Sequence, residues 1–145
     1  MSANQRDPSE AGDPRLLVTA VQALANCPCA THQEQFTHAL RDADALSFEI
    51  ARTNFAASDR EVTLSARDVV EVPVGERDGQ RFFLAFARRD GARRARPGAI
   101  MCDMSVNEAC QMLLRTDLDG IVIQAGTDDE AWAVLTRQAA AAVLA

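Results

Sequence analysis

The sequence predicts a mixed α/β fold, a sheet of about five strands flanked by about four helices, closing in a C-terminal β-α-β-α unit. Three observations carry this. Apolar residues alternate at period two between residues 46 and 74, the half-buried pattern RFFLAFA occupies 81–87, and DGIVIQAG at 119–126 holds an unbroken apolar run. Amphipathic segments separate and follow these runs, which is the order of a crossover between parallel strands.

Taken in chain order, residues 1–12 are polar and without pattern, and read as a disordered leader ahead of a single domain over 13–145. Asp13 and Pro14 open a first helix, because aspartate caps free amides and proline at the first helical position forfeits no needed bond. Leu16, Leu17, Ala20, Val21 and Leu24 form its stripe, and Pro28 ends it. Three capping boxes then predict three more helix starts: Thr31 with Glu34, Ser105 with Glu108, and Thr127 with Glu130. Their buried faces are Phe36, Ala39, Leu40 and Ala43; Val106, Ala109, Cys110 and Leu113, widened by Met112 and Leu114; and Ala131, Val134, Leu135, Ala139 and the terminal alanine-rich run.

The strands lie between. Leu46, Phe48 and Ile50 alternate with polar residues, Val62 and Leu64 make a short strand, and Val70, Val72 and Val74 make another. Pro73 puts the last of these near an edge or its own end. Asp78 and Gly79 predict a tight hairpin into RFFLAFA. Ile121, Val122 and Ile123 lack alternation and predict an interior strand covered on both faces.

A net charge of -6 and a pI near 4.8 oppose binding to nucleic acid or to an anionic membrane surface. No segment approaches the length of a membrane span, and the amino end has no apolar stretch of the signal-peptide kind, so a cytoplasmic location is expected. In that reducing setting Cys27, Cys29, Cys102 and Cys110 are expected as thiols.

The strongest local anomaly is RRDGARRAR at 88–96, where Arg88, Arg89, Arg93, Arg94 and Arg96 face only Asp90. A loop there, at the carboxyl ends of two parallel strands, could hold a carboxylate, a phosphate or an acidic protein segment. Gly91 and Gly98 would let it move, and Phe83 or Met104, if exposed, would supply an apolar anchor. The plainer reading is a solvated connection paired with Asp103, Asp128 and Asp129.

Other clusters point to no chemistry. Cys27, Cys29, His32 and His38 invite a zinc reading, but a Cys-Pro-Cys gap and histidines six apart do not match the usual spacings, so no metal is expected. Asp128 and Asp129 suit a first helical turn. Ser105 reads as a cap, since it lacks the nucleophile elbow and no histidine follows it. Arg52, Asn54, Asp59 and Arg60 form no acid-base arrangement. Phe82, Phe83 and Phe86 could stack bases, but fit a two-layer core better. No catalytic residue and no cofactor are assigned.

From Val70 onward, VVEVPV, GERDGQRFFLAFARRDGARR, MSVNEACQMLLRTDLDGIVIQAG and a final amphipathic helix resemble the amino-terminal domain of the SseB family, named for an enhanced serine sensitivity phenotype. The resemblance covers about the second half of the chain. It implies a small cytoplasmic α/β domain of bacteria used in protein contacts, and it carries over no catalytic residue. Gln124, Ala125 and Gly126 stand where members often have a proline after the last strand, and the basic loop is richer in arginine. The expectation is therefore a noncatalytic adaptor or regulatory domain that binds an acidic protein partner through the arginine loop. The alternative is a small-anion or metabolite-binding domain; an enzyme at the same crevice would need an acid-base group that the sequence does not supply.

Overall fold

The computed structural model describes residues 14–50, 52–53, 61–62 and 70–145. The expected leader at 1–12, the Asp13 cap and the readings at Asn54, Asp59, Arg60 and Leu64 lie outside the described residues. In chain order the elements are α1 (Pro14–Asn26), α2 (Ala30–Asp42), β1 (Ala45–Glu49), β2 (Arg52–Thr53), β3 (Glu61–Val62), β4 (Val70–Glu71), β5 (Val74–Arg77) and β6 (Gln80–Phe86). Then come α3 (Arg89–Ala95), β7 (Met101–Ser105), α4 (Val106–Leu114), β8 (Gly120–Gln124), β9 (Trp132–Thr136) and α5 (Arg137–Leu144).

The mixed α/β class holds, with a sheet in the order β3-β7-β1-β6-β8-β9, β5 added along β6, and β2 paired with β4 apart from it. The expected parallel pair is β6 with β8, in register from Phe82 opposite Gly120 to Phe86 opposite Gln124. The hairpin also forms as expected: Arg77 faces Gln80, and Asp78 and Gly79 take φ of 54° and 78°, the left-handed values a two-residue turn requires. β5 and β1 share one side of β6, β5 facing residues 80–83 and β1 facing 85 and 86.

Helices α1, α2, α4 and α5 cover one face of the sheet. Leu17, Val21, Phe36, Leu40, Ala109, Cys110, Leu113 and Ala140 meet Leu46, Phe48, Phe83, Ala85, Ile121, Ile123 and Leu135 in the main core. Burying the leucines, isoleucines, valine and phenylalanines among them contributes about 1.5–3 kcal/mol each. Ser105 caps α4 as predicted, its Oγ accepting from the Glu108 amide at 3.1 Å.

Several expectations are corrected. The arginine segment is not a loop but α3, because Ala92 buries against Phe86 and Met101 in a second small core and so pulls the segment onto the sheet. Gly91 is no hinge: it sits in α3, where a Cβ would come within 3.0 Å of Gly126 Cα, so glycine permits a backbone-to-backbone approach. Residues 101–105 form β7, and Trp132–Thr136 form β9 in place of the first half of the predicted fourth helix, whose alanine-rich end forms α5. Trp132, Val134 and Thr136 alternate with Ala133 and Leu135, and β8 offers a free edge for them. Thr127 therefore caps nothing; Thr136 caps α5, accepting from the Ala139 amide at 3.1 Å. α2 likewise starts ahead of the predicted Thr31, with Cys29 as its N-cap.

Candidate functional site

The sheet has a second face, and the described residues cover only part of it. Side chains at 82, 84 and 86 of β6 point away from the main core; α3 lies over Phe86 but leaves the rest. Because the strands are in register, Leu84 faces Val122 and Val122 faces Val134, an apolar row across β6, β8 and β9. Phe82 and Gly75 on one side and Trp132 on the other complete the walls of a hollow of about 540 Å3. Leu84 is 38% exposed and Trp132 41%. β8 is thus interior to the sheet, as predicted, but Val122 is only half-buried, so the strand is not covered on both faces.

Polar groups rim this hollow: Glu76, Asp78 and Gln80 from the hairpin and Gln124 from β8. Arg77 reaches over the indole of Trp132, its Cζ 5.0 Å from the ring centroid, a cation–π contact that holds the tryptophan upright. The rim carries charges of both signs, and among the described residues its lining includes no histidine, cysteine or serine.

The arginines read from the sequence gather on the neighbouring surface, where most meet partners inside the protein. Arg88 pairs with Asp90 at 2.9 Å, Arg96 with Glu49 at 3.0 Å, and Arg94 donates to the Gly126 carbonyl at 2.7 Å. Arg89 donates to Asp103, whose other oxygen accepts from the buried Ser47 hydroxyl at 2.7 Å. A depression of about 460 Å3 beside them is lined by Arg88, Arg89 and Arg93 but also by Asp44, Asp90 and Asp103, so the charges balance. Arg93 and Arg94 are exposed on the outer side of α3. Phe83 and Met104, named as anchors if exposed, are 7% and 8% exposed and belong to the main core. Period two gives the reason: they sit on the inward positions of β6 and β7.

Asp128 and Asp129 stand in the β8–β9 turn instead of a helix. The Thr127 hydroxyl donates to Asp129, as do the Ala131 amide at 3.3 Å and the Gln22 amide at 3.2 Å. These bonds, that of Thr127 foremost, hold the Asp129 carboxyl below the usual carboxylate range. They tie the turn to α1.

Sequence reading missed the open face, whose signal was the placement of Leu84, Val122 and Val134 at the outward positions of their strands. Among the described residues no helix is long and apolar enough to cross a membrane. No family model matches the chain, and neither the curated proteins nor the solved structures hold a match to it.

Proposed function

We propose that this chain is a noncatalytic protein-interaction domain of the SseB type that docks an apolar segment of a partner on the open face of its sheet. The observation that carries the reading is the row Leu84, Val122, Val134 beside Trp132, which the described residues leave partly exposed on a sheet whose other face carries the main core. A tryptophan with an arginine over it, set in an apolar hollow with a polar rim, has the composition of an interface anchor.

The arginine helix has a secondary role in this reading. The open face stops where α3 covers Phe86, so a partner lying along the hollow meets Arg93 and Arg94 at its end. Acidic residues there would speed association, while the apolar contact supplies most of the affinity. Small-anion binding gains less support, because in the depression beside α3 Arg88 pairs with Asp90 and Arg89 with Asp103, and Asp44 adds a third carboxylate to the lining. The element order β6, α4, β8 and the glycine turn at 126 supports the SseB kinship, and the cytoplasmic, regulatory setting that the resemblance implies belongs to the same proposal.

The test is affinity capture from native lysate with three folded baits: the parent, Leu84→Ser with Trp132→Ser, and Arg93→Glu with Arg94→Glu. A partner that is lost from the first variant and reduced with the second is the expected result. Equal capture by all three baits refutes the assignment of the face.

A further inference from the structure

The connection between α1 and α2 gathers three soft ligands that take no part in the docking face. α1 closes with the Cys27 amide donating to the Ala23 carbonyl at 2.9 Å, Pro28 interrupts, and Cys29 begins α2 in extended conformation, its carbonyl accepting from the Gln33 amide at 2.9 Å. Unlike a serine or aspartate at that position, Cys29 makes no side-chain cap bond, so its sulfur is not committed to the helix. His32, in the first turn, places Nδ1 2.7 Å from the Cys27 carbonyl oxygen. The two sulfurs and a ring nitrogen of His32 all lie within 4.8 Å of one another. Cys27 and Cys29 are exposed, whereas Cys102 and Cys110 are buried in packing.

We propose that Cys27, Cys29 and His32 form a surface site for a thiophilic d10 cation, Zn2+ or Cu+. Two thiolates and an imidazole select such ions over Mg2+ and Ca2+, which take oxygen ligands. Bonds of about 2.3 Å to sulfur and about 2.0–2.1 Å to nitrogen put tetrahedral ligands about 3.5–3.8 Å apart. The three groups therefore close by no more than about 1 Å, which rotation of exposed side chains supplies. The contact between His32 Nδ1 and the Cys27 carbonyl holds the ring beside the two sulfurs, the kind of outer bond that orients a ligating imidazole. Pro28 fixes one backbone angle between the thiols and so lowers the cost of bringing them together. Spacing argued against zinc on two grounds, the Cys-Pro-Cys gap and the distance to His38; the two sulfurs and His32 nevertheless lie within 4.8 Å of one another, and His38, 3.9 Å from Asp42 on α2, is not needed. The site has three protein ligands and leaves the fourth position to water or a second molecule.

The two ions separate by their use of His32. Zn2+ needs all three groups, while Cu+ is held by two thiolates alone. The reduced full chain is titrated with Co2+ as a spectroscopic substitute for Zn2+, and with Cu+ against a chromophoric chelator. Binding of one equivalent is expected, with a sulfur-to-cobalt charge-transfer band that Zn2+ erases and that Cys27→Ser with Cys29→Ser removes. Far-UV circular dichroism confirms that this exposed double variant stays folded. His32→Ala then lowers Zn2+ affinity on the order of tenfold or more if Zn2+ is the ion; a Cu+ affinity that survives His32→Ala and exceeds that for Zn2+ assigns Cu+. Failure of both ions to bind at one equivalent, or binding that persists in the double serine variant, overturns the site.

Discussion

Alkaline solution is a selective probe of this chain, because it contains no lysine and no tyrosine, so thiols are the side chains that titrate between pH 9 and 11. Cys110 is fully buried on α4, and burial pushes its thiol from 9.0 up to about 11. Below pH 9 the thiol is protonated in folded and unfolded chains alike, and the stability associated with it is fully present. Between pH 9 and about 11 the unfolded chain loses this proton and the folded chain keeps it, so unfolding gains and stability falls. Two pH units at about 1.4 kcal/mol each give a loss of about 2–3 kcal/mol by pH 11. Against the total stability of a domain, about 5–15 kcal/mol, this is readily measured. The assay is urea unfolding followed by circular dichroism from pH 8 to 11, for the parent and for Cys110→Ala. Alanine abolishes this titration and costs about 1 kcal/mol of packing at every pH. The parent is expected to be the more stable at pH 8 and the less stable at pH 11. Cys102, present in both proteins, cancels from the comparison. A gap between the two that stays constant with pH would refute the burial argument.

Three further outcomes are expected. Arg137 donates to the carbonyls of Thr116 at 2.8 Å and Leu118 at 2.9 Å, and at longer range to Leu113 and Leu114, closing the carboxyl end of α4; Arg137→Met should cost about 3 kcal/mol, lowering Tm by roughly 6–12 °C in a thermal melt. Gly126 has φ of 72° and a Cβ there would lie 2.6 Å from Gly91 Cα, whereas Gly98, with φ of 86°, faces open space; Gly126→Ala should therefore destabilise by about 3 kcal/mol and Gly98→Ala by about 1 kcal/mol, compared by urea midpoints. The depressed Asp129 carboxyl contributes stability above its ordinary value of 3.8 that is lost as pH falls through the folded value; Thr127→Val should move its titration, followed by carboxylate NMR, back toward 3.8.

Where a local device dominates, the chain was legible. Ser105 with Glu108 marked the start of α4, Asp78 with Gly79 the hairpin, and the stripe on α1 its buried face. Where two periods compete, it was not. WAVLT suits a helix or a strand, and the open edge of β8, not its own propensity, makes it β9. α3 carries a glycine and four charged residues among its seven positions, and becomes a helix because Ala92 finds Phe86 and Met101. The arginine cluster was visible, but its partners Glu49, Asp103 and Gly126 come from three distant elements and appear only once the sheet is assembled. The open face needed the register of three strands, and the grouping of Cys27, Cys29 and His32 needed the turn between two helices.

The placement of β1 has a consequence for synthesis. It is made early, yet both its ladders come from later segments: Phe48 faces Ala85 on one side and Cys102 on the other. As the chain leaves the ribosome, the edges of β1 stay open until residue 105 has emerged, and the far edge of β6 until residue 124. During that interval Leu46 and Phe48 sit on an unpaired strand able to recruit a neighbouring nascent chain. A chain cut before β7 should aggregate where the full chain folds, and the acidic surplus of the sequence then acts first as protection for its own half-made sheet.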